Sequence, residues 1–551
     1  MLSLPRLRAE DAVVPLSASE SASPDAVRGA CVSLIGIGLV ACALVYFGPA
    51  SFGFERFSVP KEFVLALSAT SALVLFLSDG RAFKSSRALL ALSGLLVVGC
   101  LATWRGVTSE GYAVRSLSAL ISAVTVFLLA FALATEGHGP RLLKWAALAT
   151  VLAALSALGE ALHLLPVISM SGRGPGGTAG NRNFLSHFLV IGAVPLALTF
   201  VEARGKVARA AWALGFACVV AIIAVSRSRG SWLTSSIVLV GVAAVLAAKW
   251  RSLSRDARRT SAVLAVAITV AVPVGVFLIA RGLNWTFADF RSSLAHLVDF
   301  RTGTGHGRLL QYQATLTMLR DHPVAGVGPG QWSIAYPRYA GPGDPYYPAN
   351  SPVPFDRLPS SDWVGFASQH GLLLLLVVVA LGATLAGEAL RRGLLRDRHA
   401  TALAAALVAQ LVLGVFDSVL FRADTVYIAA LSIGTLAGSC ADEVFVLRAP
   451  RAPALGLALV LSVTLVALCG RRVAAWSIRS DGRLPNLERS LSLDRSNFVL
   501  ASQIAQIHSA LGHCDDAKAF ARAALDACPT ASLPKKILLS CGSLQASLSA
   551  K

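Results

Sequence analysis

A chain of 551 residues that is 55% hydrophobic and only 14% charged, with a mean hydropathy of +0.65, lacks the polar surface of a soluble protein. Composition alone makes it a polytopic membrane protein. The net charge of +19 then reads as membrane topology, because no nucleic-acid-binding motif or basic domain accompanies it.

Residues 1–29 are polar and are expected to form a cytoplasmic N-terminal segment. The first apolar run has no trustworthy small-residue cleavage pattern after it, so it reads as a retained span. Further apolar runs of about 17–25 residues follow, the length that crosses a ~30 Å hydrocarbon core as helix. They are too long and unbroken for barrel strands. Candidate spans fall near 30–48, 60–78, 87–104, 114–134, 143–165, 184–202, 208–225, 231–248, 261–281, 366–386, 401–417, 424–440 and 453–470. The expected fold is all-α: a membrane protein with about 12–13 transmembrane helices, a large periplasmic loop and a small helical tail. Its parts are 1–29, spans one to nine over 30–281, a polar loop over 282–365, the remaining spans over 366–470, and a tail over 471–551.

Lys and Arg fix the orientation. They concentrate in "DGRAFKSSR", "ARGKVAR", "KWRSLSRDARR" and "RRGLLRDRH", all on one side of the alternation. That side is the cytoplasm by the positive-inside rule. The N-terminus is then inside. The long loop and the tail face outward, because thirteen spans is an odd number.

Cys31, Cys42, Cys100 and Cys218 lie in apolar runs without metal-ligand spacing, as small buried hydrophobes do. Cys514, Cys528 and Cys541 lie in the polar tail, where an oxidising compartment would allow pairing. The tail stretch 487–530 has helical periodicity. Its Leu511-Gly512, Asp515, Ala517, Ala524 and Pro529 resemble one tetratricopeptide repeat, with an ordinary helical hairpin as the plainer alternative.

Three polar clusters fall on the outward side. In "SGRGPGGTAGNRNFLSHFL", a glycine-rich loop leads to Asn181, Arg182 and Asn183 at a span start, where helix N–H groups favour an anion. In "SRSRGSW", Arg227 and Arg229 occupy a turn with almost no loop, and their guanidinium forks suit phosphate oxygens. In "GHGRLLQYQATLTMLRDHPVAGVGPGQW", Leu309, Tyr312, Leu316 and Leu319 recur at helical spacing. They predict a helix lying along the membrane surface with Arg308 on its polar edge. His322, Pro323, Gly326 and Gly328 then form a turn that stops it. Each cluster has a plainer reading as a loop, an interfacial cap or a snorkelling side chain. Taken together they point to an anionic ligand reached from outside. No phosphate-binding loop, zinc-protease motif or dinucleotide fingerprint is present, so the energy for any reaction has to arrive with the substrate. A lipid-linked diphosphate is such a substrate.

In order over about residues 170–385, "GTAGNRNFLSHFL", "SRSRGSW", "GRLLQYQATLTMLRDHPVAGVGPGQW" and "SSDWVGFASQHGLLLLL" resemble the O-antigen ligase and polymerase superfamily of bacterial envelope glycan enzymes. The resemblance implies a metal-independent, usually inverting glycosyltransferase of the inner membrane with no cofactor. Its donor would be an undecaprenyl-diphosphate-linked glycan on the periplasmic face. Its acceptor would be a hydroxyl on lipid A–core, on another glycan or on a protein. The corresponding functions are O-antigen ligase, polymerase and protein O-oligosaccharyltransferase, with ligation leading. A tetratricopeptide-like tail that recruits a protein partner occurs in many relatives. Arg229 and Arg308 would hold the diphosphate, supported by Arg182, Arg227, Asn181 and Asn183. One departure stands out. The family pattern places a histidine, the favoured base, where this chain has Ser360, and Asp362 is the nearest ionisable replacement. His306, His322 and His370 are further candidates. The Pro- and Tyr-rich stretch 336–359 is a candidate acceptor surface or an irregular cover. A lipid-linked-glycan transporter and a catalytically silent scaffold are readings of a different class. The transporter is disfavoured because the sequence has no internal repeat.

Overall fold

A computed structural model describes residues 14–15, 26–47, 55–80, 82–170, 174–249, 251, 255–283, 285–295, 301, 303–341, 344, 358–394, 396–448 and 450–549. It is an all-α membrane fold. The first group of helices is α1 (Ala26–Leu44), α2 (Glu55–Ser78), α3 (Arg87–Ala102), α4 (Glu110–Leu133), α5 (Gly139–Ala161), α6 (Arg182–Glu202), α7 (Lys206–Val225), α8 (Arg229–Lys249) and α9 (Arg255–Gly282). The loop region adds α10 (Phe287–Ala295), α11 (Gly303–Asp321), α12 (Trp332–Ala335) and α13 (Asp362–His370). Then come α14 (Leu372–Arg392), α15 (Arg398–Phe416), α16 (Ala423–Cys440) and α17 (Arg451–Ile478). The tail holds α18 (Leu484–Leu493), α19 (Phe498–Ala510), α20 (Cys514–Ala527) and α21 (Ser532–Ser549). Among the described residues, 10 helical stretches are long and apolar enough to cross a membrane. One of them, Glu110–Ala161, is α4 and α5 joined through a kink where Gly137 has φ +88°. Helices α8 and α9 occupy the runs predicted at 231–248 and 261–281.

Helix α16 lies at the centre, between α4 and α5. A methyl group on its Gly434 or Gly438 would collide with the carbonyl oxygen of Phe127 or Phe131, so the α4 backbone sits directly on this small-residue seam. The pairing 434 with 127 and 438 with 131 makes α4 and α16 parallel. Gly139 meets Thr435 and Ser439, and Gly192 meets both Thr150 and Ile428, so α5 runs the other way. The kink at 134–138 is therefore a hairpin, and the successive spans α4 and α5 run in opposite directions as a membrane requires.

The helix ends gather on two faces. One face carries a small antiparallel sheet of β1 (Val14–Pro15), β2 (Phe83–Ser85) and β3 (Glu443–Leu447), in the order β1-β3-β2. It also carries the fully buried Arg28, paired with Asp79 at 3.3 Å and Glu136 at 3.2 Å and stacked on Phe76. Removing either acid would leave part of that buried charge uncompensated, which is how one arginine locks the ends of α1, α2 and α4 together. These ends are the loops predicted to share one side. The opposite face carries the long loop and the tail.

One expectation for the loop region changes. The span predicted from residue 366 starts at Leu372 instead, because Gly371 breaks the chain at φ +85° and leaves α13 as a separate, largely buried helix. A Cβ at Gly371 would lie 1.8 Å from the carbonyl oxygen of Val324. Gly371→Ala is therefore expected to destabilise the protein by at least ~2 kcal/mol, from the left-handed conformation and the backbone collision together. An unchanged melting midpoint in detergent would contradict this. Helix α11 presents two unlike faces. Its buried face is Gln311, Ala314, Thr315 and Met318, whereas Leu309 and Leu316 point outward, 38% and 44% exposed. Both polar residues are bonded across the packing: Gln311 Oε1 accepts from the Ser360 amide, with its Nε2 buried and unpartnered, and Thr315 Oγ1 accepts from Trp332 Nε1 at 3.1 Å. The outward leucines leave an apolar edge that suits a helix at the membrane surface.

Helices α19 and α20 form an antiparallel hairpin, and α21 packs against both. The tail joins the loop face through Ser496, which accepts from the Gly111 amide, and through Thr530, which donates to the Ile334 carbonyl. Ile334 belongs to the tail's own apolar core.

Candidate functional site

The start of α6 is the hub of the loop face. Asn181 has extended backbone, and its side chain accepts the Asn183 N–H at 2.9 Å, a standard N-cap. This fixes α6 with the positive end of its dipole at the loop face. Its first two turns then send side chains to the link between α9 and α10, to α8 and to the 417–424 loop. Arg182 stacks over Trp285 at 5.7 Å, Phe184 lies under Arg422 at 4.0 Å, and Ser186 shares a 2.7 Å hydrogen bond with Ser231. His187 Nε2 stands 3.8 Å from Asp417.

The second predicted cluster meets the first here. Arg227 stacks over the same Trp285 at 5.0 Å, donates to Ser293 at 2.8 Å and pairs with Asp289 at 3.5 Å. Arg227 is held at φ +54°, a strained conformation for a non-glycine residue that persists only where surrounding contacts impose it. Asp289 is held below the usual carboxylate range by the Thr286 amide and hydroxyl, with Arg227 adding to the effect. Arg229 is the first residue of α8 and half-buried. Next to it, a Cβ at Gly230 would meet Phe416 at 3.2 Å, so α8 opens beside the residue that precedes Asp417.

The third cluster closes on the same point. Arg308, near the start of α11, pairs with Asp417 Oδ2 at 3.2 Å. Asp417 caps the end of α15, and its other oxygen accepts the Ser418 amide at 2.9 Å. Arginines read from three separate stretches thus gather around the start of α6: Arg182 and Arg227 share Trp285, and Arg308 reaches Asp417 beside His187.

The turn after α11 is a scaffold. The Val327 and Gly328 amides donate to the carbonyls of Ser368 and Gln369, the Leu372 amide donates to the Pro323 carbonyl, and the Gly326 amide donates to the His322 carbonyl. Gln331 bonds the backbone of Thr108 and Ser109. His322 is exposed at this turn, and His306 is exposed on α11. His370 is 3% exposed, faces the Thr103 hydroxyl at 3.1 Å, and is pushed by burial to a pKa of about 4, so it stays neutral and closed off.

Ser360 sits against α11. Its carbonyl accepts from Tyr312 at 3.2 Å, one turn beyond Arg308. Asp362 has a different place from the one expected of a base. It is 1% exposed, and its Oδ1 accepts the Val419 and Leu420 amides at 2.8 and 2.9 Å. Its Oδ2 accepts from Gln410 at 3.3 Å. Burial raises its pKa well above the usual range against the pull of those amides. Asp362 fixes the loop that carries Asp417 and is not open to an acceptor. Residues 342–343 and 345–357 of the candidate acceptor stretch, and 171–173 of the glycine-rich loop, lie outside the described residues.

Sequence reasoning missed half of this site. Asp424 accepts from Lys61 at 3.1 Å and from Arg422 at 2.7 Å. These three line a cleft with an empty volume of about 330 Å³, together with Glu62, Arg115 and Phe421. Arg422 is 6% exposed and has one guanidinium nitrogen without a partner. Glu160 accepts from Ser169 and from the Gly177 amide and so shapes the glycine-rich loop. The signals were present: "PKE" interrupts the second apolar run, and "FDSVLFRAD" packs three charges between two spans.

Residues 214–379 match the family model described as O-antigen ligase. Over that stretch the chain is similar to the O-antigen ligase family. The matched stretch runs from within α7 into α14 and includes Arg227, Arg229, Arg308 and Ser360. The partners Asp417, Arg422, His187 and Lys61 lie outside it and reach the matched residues only through the fold. No curated protein matches the chain.

Proposed function

We propose that the chain transfers a glycan from a polyprenyl diphosphate to an acceptor hydroxyl on the face that carries the loop and tail. The observation that supports this most strongly is that Arg182 and Arg227 stack on the same Trp285 at the start of α6, while Arg308 reaches Asp417, 3.8 Å from His187 of the same helix. Guanidinium forks there match diphosphate oxygens and stabilise the charge that grows as the sugar–phosphate bond breaks. The acceptor oxygen bonds to the anomeric carbon, the diphosphate leaves, and the acceptor proton passes to a base. Asp417, with its side chain 16% exposed beside Arg308, is the carboxylate placed for that role. Ser360 lines the acceptor side. The loop face is periplasmic in this reading, and the disulfide between Cys514 and Cys541 in the tail suits an oxidising compartment. Lipid A–core is the leading acceptor, ahead of a growing polymer or a protein side chain.

The test is envelope glycan profiling of a deletion strain. Uncapped lipid A–core with polymer still lipid-linked supports ligation. Core bearing single repeat units supports polymerisation, and underglycosylated protein supports a protein acceptor. No change in any fraction would overturn the proposal.

A further inference from the structure

The tail contains a cluster that glycan transfer does not use. His508, at the end of α19, is 6% exposed. Its Nε2 lies 2.8 Å from Glu488 of α18. Its Nδ1 is buried without a hydrogen-bond partner, and the nearest acidic atom, on Asp516, stands 3.8 Å away. That gap is too long for a hydrogen bond. One nitrogen donor each from His508 and His513 and one oxygen from Asp516 all lie within 4.8 Å of one another.

We propose that His508, His513 and Asp516 bind a divalent transition-metal ion of the zinc class between α19 and α20. The chemistry fits in three ways. Imidazole and carboxylate are zinc donors, and tetrahedral zinc at its usual bond lengths places ligand atoms about 3.3 Å apart. His513 and Asp516 are exposed and free to close the remaining distance. Glu488 accepts the Nε2 proton of His508, which turns the Nδ1 lone pair into the ligand, the arrangement in which a second carboxylate orients a metal-bound histidine. The backbone holds the donors near one another, because the His513 amide bonds the His508 carbonyl at 2.9 Å. The neighbouring Cys514 is tied to Cys541 of α21. Three protein ligands leave a fourth position for water. The ion would clamp α18, α19 and α20, short helices that seat Ile334 two residues after Trp332 of the loop. This role is independent of the transfer reaction.

The test uses the full chain without an affinity tag, purified in detergent, stripped with chelator and titrated with Zn²⁺. The expected result is one high-affinity equivalent per chain and tetrahedral-type visible absorption when Co²⁺ replaces zinc. His513→Ala and Asp516→Asn alter exposed side chains, so the variants fold, and each is expected to weaken binding at least ~10-fold. Glu488→Gln is expected to weaken it by ~10–100-fold. Absence of a tight site, or full-strength binding in His513→Ala, would overturn the proposal. It would leave His508 as a histidine hydrogen-bonded to Glu488 alone.

Discussion

Replacing Arg308 with alanine is expected to lower glycan transfer by about 10²–10³-fold, the usual effect of deleting one preorganised donor to a developing anion. Arg308 pairs with Asp417 and sits at the half-buried edge of α11, so the substitution opens no core cavity. The protein should insert and melt as wild type. Arg308→Lys keeps the charge and loses the fork, and should recover only part of the rate. Asp417→Asn removes the partner. If Asp417 takes the acceptor proton, this variant falls as far as Arg308→Ala, and the double variant falls little further, because groups acting as one unit are not additive. Transfer measured with purified lipid-linked donor decides the point. Full activity in Arg308→Ala would sink the diphosphate site.

Much of this arrangement is readable from the chain because membrane solvent leaves few choices. Apolar runs must be helices, and charges must sit at their ends or be paired. That logic finds the spans and the arginine clusters. It does not find their partners. His187 and Asp417 are far apart in sequence, and only the packing of α6 against α15 brings them together. Helix α11 is legible on one side only. Its outward leucines suit the membrane surface that their spacing predicts, whereas its buried side is polar and is held by Ser360 and Trp332, which helical periodicity does not mark. Asp362 is the sharpest case. Its position in a motif-like stretch implied chemistry, and its bonds give it an architectural role.

That role has a decisive test, because asparagine and alanine should behave differently at Asp362. Alanine leaves the Val419 and Leu420 amides buried without an acceptor, and each orphaned group costs about 1–3 kcal/mol. Asp362→Ala is therefore expected to lose about 2–6 kcal/mol of stability and to lose transfer through the displaced 417–420 loop. Asparagine keeps an oxygen for both amides. Its new N–H₂ would face Gln410, whose Oε1 is buried and lacks a partner, so a flip of that amide supplies the missing bond. The raised pKa of Asp362 points the same way, since a group that burial favours as neutral is well mimicked by a neutral amide. Asp362→Asn should melt near wild type and keep transfer within about tenfold. A general base at this position would give the opposite pattern, intact stability with transfer down by about 10²–10⁴-fold. Thermal midpoint and transfer rate measured on the same two variants therefore separate a residue that does the chemistry from one that holds the loop where Asp417 can do it.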